Sequence, residues 1–435
     1  MKKTINSFEE AVAYLYDMPR FTRKNTLEDT KKFLHKLGSP DRELQIIHVA
    51  GTNGKGSVCA YMRSILEAAG KKVAVFTSPH LVDIRERFVI NGEMVNKEAF
   101  LEAFLTIYEH LDRNALEAGD GYHPSYFEWL FFMAMVLFSQ ADPDYCILET
   151  GLGGRLDATN AIENKLVSVI TRISLDHVEY LGNTLHAIAG EKAGIMRQGV
   201  PVVFTDGEPE ATAVFCDKAR ELSAKVFPVS KSDYAFKNFK NKTIDFSYYS
   251  RYDEYIELQL HTIARYQMEN CSLAVRTIEV LDEKREIDRE VIRAGVERCF
   301  WAGRMEEVMP GVFVDGAHNE DGVRAFLETV AGSEVAGKRI LLFSVVSDKD
   351  YGKMLQRIAA SALFHRIILV HLQSSRAAGL EDMQRILIEY PRECVEQFDA
   401  VEDGLKRALE WKKAEDRVYI AGSLYLVGEI KEYLV

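Results

Sequence analysis

The sequence is poor in cysteine and contains no CxxC motif. Its 435 residues include six cysteines, scattered along the chain at Cys59, Cys146, Cys216, Cys271, Cys299 and Cys394. Most of them lie among apolar residues, which is typical of reduced core thiols in a cytoplasmic protein. We therefore expect neither a zinc site nor a disulfide framework, and we expect a cytoplasmic location.

The sequence also lacks a long apolar run and an excess of basic residues. Its most apolar stretch, Trp129 to Phe138, is too short to span a bilayer and predicts a buried helix. The first residues are polar and do not contain the apolar segment of a secretory signal. The net charge of −12 disfavours general binding to nucleic acid or to anionic membranes, which requires a basic surface. Anionic substrates must therefore be held by local cations.

Strand-like and helix-like segments alternate along most of the chain, which is long enough for two domains. This alternation predicts a mostly parallel sheet with helices on both faces. Alternating polar and apolar residues between about 226 and 262 predict a small antiparallel subdomain. We therefore predict an α/β N-terminal domain over 1–299 that includes this insertion, and a smaller Rossmann-like α/β domain over 303–435. Polar motifs follow strands in both halves, so we expect a ligand in the cleft between the domains.

The segment from Ile46 to Ser57 predicts a phosphate-binding loop. An apolar strand leads into Gly51, two further glycines flank Lys55, and a helical pattern begins at Ser57. Glycines let backbone N–H groups approach phosphate oxygens, and the helix start and Lys55 add positive charge. The general P-loop pattern ends in Gly-Lys-Ser/Thr, whereas Gly56 separates Lys55 from Ser57 here. An ordinary strand-to-helix turn is the alternative, and the order of strand, glycines, lysine and helix favours a nucleotide.

Further polar residues follow predicted strands. Glu149 comes directly after a strand, where a Mg²⁺ ligand is commonly placed in P-loop proteins. Asp315 follows a strand in the second half, and Arg304 stands near the domain junction. They could be a loop cap and a surface cation, or they could equally bind ribose and phosphate and complete a nucleotide site on domain closure. Spacing alone leaves His177 open between a structural histidine and a ligand. For Lys192, which lies in a predicted helix, a solvated helix face is the default interpretation.

Taken together, these segments resemble the folylpolyglutamate synthase/dihydrofolate synthase family, which is related to the muramyl-peptide ligases. The matching segments cover nearly the whole chain: HVAGTNGKGS at 48–57, SPHL at 78–81, ETGLGGRLDATN at 149–160, LDHVEYLG at 175–182, EKAGI at 191–195, DGAHN at 315–319 and GSLYL at 422–426. The resemblance implies a P-loop ATPase domain followed by a C-terminal glutamate-ligase domain. Gly56 distinguishes the loop from that of the muramyl-peptide ligases.

The resemblance also implies roles for individual residues. The implied ATP contacts are Thr52, Asn53, Gly54, Lys55, Gly56, Ser57, Gln267, Asn270, Arg304, Asp315 and His318. The implied ligands of two Mg²⁺ sites are Ser57, Ser78, Glu149, His177 and Lys192. The implied catalytic residues are Lys55, Glu149, His177 and Lys192, the last as a carbamate, whose negative charge suits a metal better than an ammonium does. The implied contacts of a folate or pteroate are Phe127, Glu128, Leu156, Asp157 and Ala158.

The activity that the resemblance implies is an ATP-dependent ligation of L-glutamate to dihydropteroate, to a folylpolyglutamate, or to both. The acceptor carboxylate is expected to become an acyl phosphate, with ATP and Mg²⁺ as the required cofactors. The expected partners are these small molecules alone, without nucleic acid or membrane, and the expected state is a monomer. Two alternatives are a regulatory ATPase whose cleft gates a partner protein, which the motifs at 149–160 and 315–319 disfavour, and a muramyl-peptide ligase, which Gly56 disfavours.

Overall fold

The computed structural model describes residues 5–18, 25–112, 121–240, 242–252, 255–388 and 390–434. In these ranges the strands form three sheets with eight, three and six strands. None of the helices there combines the length and the apolar character needed to cross a bilayer.

The largest sheet has the strand order β4-β3-β2-β5-β1-β6-β7-β8. Strands β2, β5, β1, β6, β7 and β8 run parallel. At one edge β3 pairs antiparallel with β2, and β4 pairs antiparallel with β3. The strands are β1 (Ile46–Ala50), β2 (Val73–Phe76), β3 (Phe88–Ile90), β4 (Glu93–Met94), β5 (Tyr145–Glu149), β6 (Val167–Ile170), β7 (Val202–Thr205) and β8 (Val226–Val229).

Helices cover both faces of this sheet. They are α1 (Phe8–Asp17), α2 (Leu27–Lys36), α3 (Lys55–Ala68), α4 (Lys97–Glu109), α5 (Tyr126–Ala141), α6 (Val178–Leu181), α7 (Leu185–Ala193), α8 (Pro209–Glu221), α9 (Gln267–Leu281) and α10 (Arg289–Arg298). Neighbouring residues of β1 bury in opposite cores: Ile46 packs with α4 and α5, whereas Ile47 packs with α3, α9 and α10. Because successive strand residues face opposite sides, β1 is buried along its whole length, as expected for a central parallel strand, and His48 is its one polar residue.

The antiparallel sheet consists of β9 (Tyr234–Lys240), β10 (Thr243–Tyr248) and β11 (Ile256–Leu260). It starts later than the sequence pattern predicts, because Val226–Val229 pairs in parallel with β7 and so belongs to the large sheet. The inward side chains Ile244, Phe246 and Leu258 join the core that α3 and α9 form. The small sheet is therefore packed on the first domain.

The six-stranded sheet has the order β12-β13-β17-β14-β15-β16, with β12 antiparallel and the others parallel. Its strands are β12 (Arg304–Met309), β13 (Val312–Asp315), β14 (Arg339–Phe343), β15 (Arg366–Val370), β16 (Val395–Phe398) and β17 (Arg417–Ala421). Its helices are α11 (Glu320–Ala331), α12 (Tyr351–Ser361), α13 (Leu380–Ile386), α14 (Val401–Trp411) and α15 (Leu424–Leu434). The predicted α/β class with two parallel sheets is confirmed.

Candidate functional site

A cavity of about 530 Å³ lies where the carboxyl ends of the strands of both domains face each other. The first domain contributes the loop 51–57 and residues that follow β5 and β6. The second domain contributes residues that follow β13 and β17. This is the position at which ligands bind in open α/β sheets.

The loop between β1 and α3 has the geometry of an anion-binding turn. Gly54 is left-handed, with φ +91°, and directly precedes the first turn of α3. A Cβ at Gly54 would lie 2.3 Å from Oδ1 of Asn270, and a Cβ at Gly56 would lie 2.7 Å from the ring of Trp301. Lys55 Nζ donates to the carbonyls of Gly51 and Thr52, at 3.2 and 3.3 Å. The glycines are therefore required by conformation and by close packing, and the turn presents N–H groups and an ammonium together.

Behind this turn, a buried hydrogen-bond chain fixes Ser57. Gln267 Nε2 donates to Ser57 Oγ at 3.1 Å, and Asn270 Nδ2 donates to Gln267 Oε1 at 2.9 Å. Gln267 thus lies behind the loop and orients Ser57, whereas Asn270 lines the cavity itself.

Glu149, the last residue of β5, is 3% exposed and lines the cavity. It accepts a hydrogen bond from the backbone N–H of Ser78 at 2.9 Å. Burial raises the pKa of Glu149, and the charges of Lys55 and Arg304 oppose this increase. A carboxylate and the hydroxyls of two serines are hard oxygen donors, the type that Mg²⁺ prefers.

Asp315 at the end of β13 is held from three directions. Tyr266 OH donates to it at 2.6 Å, and the N–H groups of Met305 and Ala317 donate at 3.0 and 2.8 Å. Burial raises the pKa of Asp315, and the positive charge of Arg304 offsets part of this increase. Arg304 lies opposite Asp315 in the β12–β13 pair, so both charges reach the same wall of the cavity.

Asp176 is the centre of polar contacts between the two domains. Lys349 Nζ lies 2.6 Å from Asp176 Oδ1 and 3.1 Å from His177 Nε2. Asn319 Nδ2 donates both to Asp176 Oδ2 at 3.0 Å and to Asn53 Oδ1 of the phosphate loop at 2.9 Å. Burial alone would raise the pKa of Asp176, but His318, Lys349 and His177 together hold it below its usual value. Asp176 therefore binds Asn319 and Lys349 of the second domain, and Asn319 also connects that domain directly to the phosphate loop.

The histidines at this centre are neutral at physiological pH. Burial lowers the pKa of His177 to about 4 and that of His318 to about 4. His177 also has a left-handed backbone, with φ +50°. A neutral imidazole is the form that can coordinate a metal.

Lys192 on α7 is 4% exposed and lines the cavity. Burial, with a contribution from Lys55, lowers its pKa to about 7. An appreciable fraction of this side chain is therefore an uncharged amine near neutral pH, which an exposed lysine is not.

The residues implied to hold a folate or pteroate do not all reach the cavity. Phe127 and Asp157 line it, and the Phe127 ring packs so closely on Gly151 that a Cβ there would lie 2.6 Å from it. Asp157 accepts from the N–H groups of Gly151 and Leu152, at 3.0 and 2.8 Å, and so shapes the loop after β5. Glu128, Leu156 and Ala158 are not among the lining residues.

A second buried chain supports Asp157 from behind. Thr159 Oγ1 donates to Asp157 Oδ1 at 2.5 Å, and His48 Nε2 lies 2.9 Å from Thr159 Oγ1. Lys165 Nζ completes the chain at 2.8 Å from His48 Nδ1. Burial holds the pKa of His48 well below 6.5, and it lowers the pKa of Lys165 as well.

Sequence reasoning missed four cations at the site. Arg87, Arg172 and Arg376 line the cavity, and Lys349 contacts Asp176. Arg172 and Lys349 shortly follow β6 and β14, so strand-end position could have indicated them. Arg87 precedes β3, which runs antiparallel to β2 and therefore starts at the same edge at which β2 ends. Only the pairing of β3 reveals that position.

Comparisons with known proteins agree with this geometry. Residues 303–424 match the family described as Mur ligase, glutamate ligase domain. The chain is 32% identical to the dihydrofolate synthase/folylpolyglutamate synthase of Bacillus subtilis, over 98% of this chain and 99% of that protein. It is 29% identical to the folylpolyglutamate synthase of Lacticaseibacillus casei, over 99% of each.

Solved structures show the same relationship. The folylpolyglutamate synthase of Mycobacterium tuberculosis complexed with ADP and AMPPCP is 27% identical, with a TM-score of 0.88 over 98% of both chains. E. coli FolC in complex with DHPP and ADP is 29% identical, with a TM-score of 0.85 over 99% of this chain and 98% of that one. The identity and coverage relative to the B. subtilis protein, together with the shared fold, place this chain in the folylpolyglutamate synthase/dihydrofolate synthase family.

Proposed function

We propose that this protein joins L-glutamate to dihydropteroate, to a folylpolyglutamate, or to both, at the expense of ATP and through an acyl phosphate. The observation that carries this proposal is that a phosphate loop, a buried carboxylate and an aromatic wall meet in one cavity closed by the second domain. Related proteins of this length are named for these two synthase activities, which supports both acceptor classes.

In the first step, a carboxylate oxygen of the acceptor attacks the γ-phosphorus of ATP, and ADP leaves. The loop N–H groups and Lys55 lie where they can stabilise charge on the phosphates during this transfer. Asn270, Arg304 and Asp315 line the same cavity and are proposed as nucleotide contacts, with Gln267 acting through Ser57.

In the second step, the amine of L-glutamate attacks the acyl carbon, phosphate leaves, and the nitrogen loses a proton. Phosphorylation is required because a carboxylate oxygen is otherwise a poor leaving group. His177 and His318 face this region as neutral imidazoles, whose pKa values near 4 keep them uncharged at the working pH.

The donors at the cavity fit Mg²⁺. Ser57, Ser78 and Glu149 supply hard oxygens at the cavity. In the described ranges, no three His, Cys, Asp or Glu side chains lie close enough together to form a cage that holds a metal ion by protein side chains alone. One or two carboxylates together with substrate phosphates suffice to hold Mg²⁺, so such a cage is not required. When bound there, Mg²⁺ would neutralise phosphate charge. We propose Ser57, Ser78 and Glu149 for this ion.

We further propose that Lys192 is carbamylated and, together with His177, holds a second Mg²⁺. The reaction of an amine with CO₂ requires the neutral amine, and burial lowers the Lys192 pKa to about 7. The carbamate would replace a buried cation next to Lys55 by an anion. Mass spectrometry of the intact protein under added ¹³CO₂, followed by trapping of the carbamate, tests this modification.

For the domains, we propose a boundary near 299–303, which the family match from residue 303 supports. We also propose that the protein is a monomer. Light scattering coupled to size-exclusion chromatography tests the second proposal, since a dimer would double the mass of 49.4 kDa.

The function is tested by phosphate release from ATP with L-glutamate and Mg²⁺, with dihydropteroate or tetrahydrofolate supplied separately. Activity with both acceptors is expected of a bifunctional enzyme, and activity with one fixes the acceptor class. The product should be one glutamate residue heavier than the acceptor by mass spectrometry. ATP binding without turnover on either acceptor would refute the ligase and favour a regulatory ATPase.

A further inference from the structure

We propose that Arg87 binds a carboxylate of the acceptor substrate. This inference rests on the proposed ligase function and adds a specific binding residue to it. Arg87 ends a short 3₁₀ turn (Ile84–Arg87) between β2 and β3 and reaches the cavity wall beside Ser78 and Tyr126.

The guanidinium of Arg87 is buried without a paired carboxylate. The residue is 6% exposed, and its Nε donates to Nδ1 of His80 at 2.8 Å. In the described ranges, no carboxylate oxygen lies within 4.0 Å of a guanidinium nitrogen of Arg87, which is the limit for an ion pair. Arg85, two residues earlier, differs, because it forms a close pair with Asp83, at 2.6 Å. A buried cation is normally paired, so an unpaired one at a cavity wall points to an anionic ligand.

The surroundings of Arg87 identify the anion as part of the acceptor. Its guanidinium carbon lies 5.8 Å from the ring centre of Tyr126, and Phe127 continues this aromatic wall. An aromatic wall with one cation suits a planar ring system that carries a carboxylate, rather than a polyphosphate.

Arginine is suited to this role because it stays charged and offers a planar fork of donors to both oxygens of a carboxylate. Dihydropteroate carries one carboxylate, the one that reacts. A folate with one glutamate carries two, the reacting γ-carboxylate and the α-carboxylate. Arg87 would recognise a carboxylate in either acceptor. Comparison of dihydropteroate with a folate distinguishes which carboxylate is bound.

The test compares Arg87→Gln and Arg87→Lys with the wild-type enzyme, and uses Arg85→Gln from the same turn as the matched control. A hydrogen bond to a charged group contributes roughly 10- to 100-fold in binding, so Arg87→Gln should raise the acceptor KM by about that factor. Arg87→Lys retains charge without the fork and should recover part of the loss. The KM for ATP should change by less than about twofold in all variants, and Arg85→Gln should resemble wild type.

The acceptor dependence then identifies the carboxylate. A rise in KM for both dihydropteroate and tetrahydrofolate assigns Arg87 to the reacting carboxylate, and a rise for tetrahydrofolate alone assigns it to the α-carboxylate. An unchanged acceptor KM overturns the proposal, as does a rise confined to L-glutamate.

Direct binding of pteroate, measured by titration calorimetry with an ATP analogue present, separates this inference from the proposed function. If the wild type binds pteroate without turnover and Arg87→Lys binds it more weakly, the ligase function is refuted. The proposal that Arg87 binds the acceptor carboxylate is then supported. Wild type that does not bind pteroate would overturn both. Circular dichroism confirms that each variant is folded, and Arg87→Lys serves if Arg87→Gln does not fold.

Discussion

Replacement of Glu128 tests whether this carboxylate binds substrate, as the sequence resemblance implies, or stabilises the first domain. Glu128 is 6% exposed and accepts from Asn25 Nδ2 at 2.7 Å, Thr30 Oγ1 at 2.8 Å, Tyr122 OH at 3.0 Å and Ser125 N at 2.7 Å. The last contact forms a capping box at the start of α5, because Ser125 in turn accepts from the Glu128 N–H. The side chain therefore joins α2, α5 and the loop before α5, outside the cavity.

The size of the effect follows from these four donors. A buried donor left without a partner costs about 1–3 kcal/mol, and water partly compensates the donors that are only half-buried. We therefore expect Glu128→Ala to lower the free energy of unfolding by about 3–5 kcal/mol. Glu128→Gln should cost about 1–3 kcal/mol, because the amide oxygen can serve Asn25 and Ser125 while its NH₂ group donates to the hydroxyls of Thr30 and Tyr122.

The assay is urea unfolding followed by tryptophan fluorescence, since Trp129 is fully buried next to Glu128. With a slope of about 3 kcal/mol per M, the urea midpoint of Glu128→Ala should fall by about 1–1.7 M. The acceptor kcat/KM of the folded variants should stay within about twofold of wild type, because an effect on stability alone leaves the transition state unchanged. Glu102→Gln on the exposed face of α4 is the control. An unchanged midpoint together with a roughly tenfold higher acceptor KM for Glu128→Gln would refute this reasoning and show that Glu128 binds substrate.

Three further predictions follow from the site. Gly54→Ala should weaken ATP binding at least roughly tenfold by calorimetry, because the backbone at Gly54 has a left-handed φ and a Cβ there would contact Asn270. Gly190→Ala should bind ATP normally, because nothing lies within 4 Å of its Cβ. Equal ATP affinities of the two variants would contradict this prediction. Burial holds the pKa of His48 well below 6.5, so the unfolded state binds more protons as pH falls below 6.5 and the folded state loses stability there. The urea midpoint of His48→Gln should therefore drop less between pH 7 and pH 5 than that of the wild type. Parallel pH curves for the two proteins would exclude this effect of His48 on stability. Lys349→Met should lower kcat by roughly tenfold with little change in the ATP KM, because the contact of Lys349 with Asp176 between the domains is lost. An unchanged kcat would exclude a role for Lys349 in domain closure.

The fold class and the nucleotide loop could be predicted from the sequence. Apolar strands that end in glycine or acidic residues have a local signature, and Gly51, Lys55, Glu149 and Asp315 each lie at or just after the end of a strand. In parallel sheets the carboxyl ends share one edge, so the strand pattern alone places residues that are distant in sequence at one site. The start of the antiparallel sheet could not be predicted, since β8 directly precedes the alternating segments in the chain and only its pairing with β7 assigns it to the large sheet.

What individual charged side chains do depends on the folded chain. The Ser125-x-x-Glu128 spacing is typical of a helix cap, but it does not show the other partners of Glu128, and the residues around Arg87 do not show whether its charge is paired. The fold surrounds Glu128 with four donors, and it leaves Arg87 at the cavity wall with one imidazole contact and no paired carboxylate within the described ranges. The pKa values of His177 and Lys192 likewise depend on how much water their neighbours exclude. Partners and desolvation arise from segments far apart in the chain, so they exist only once the chain has folded.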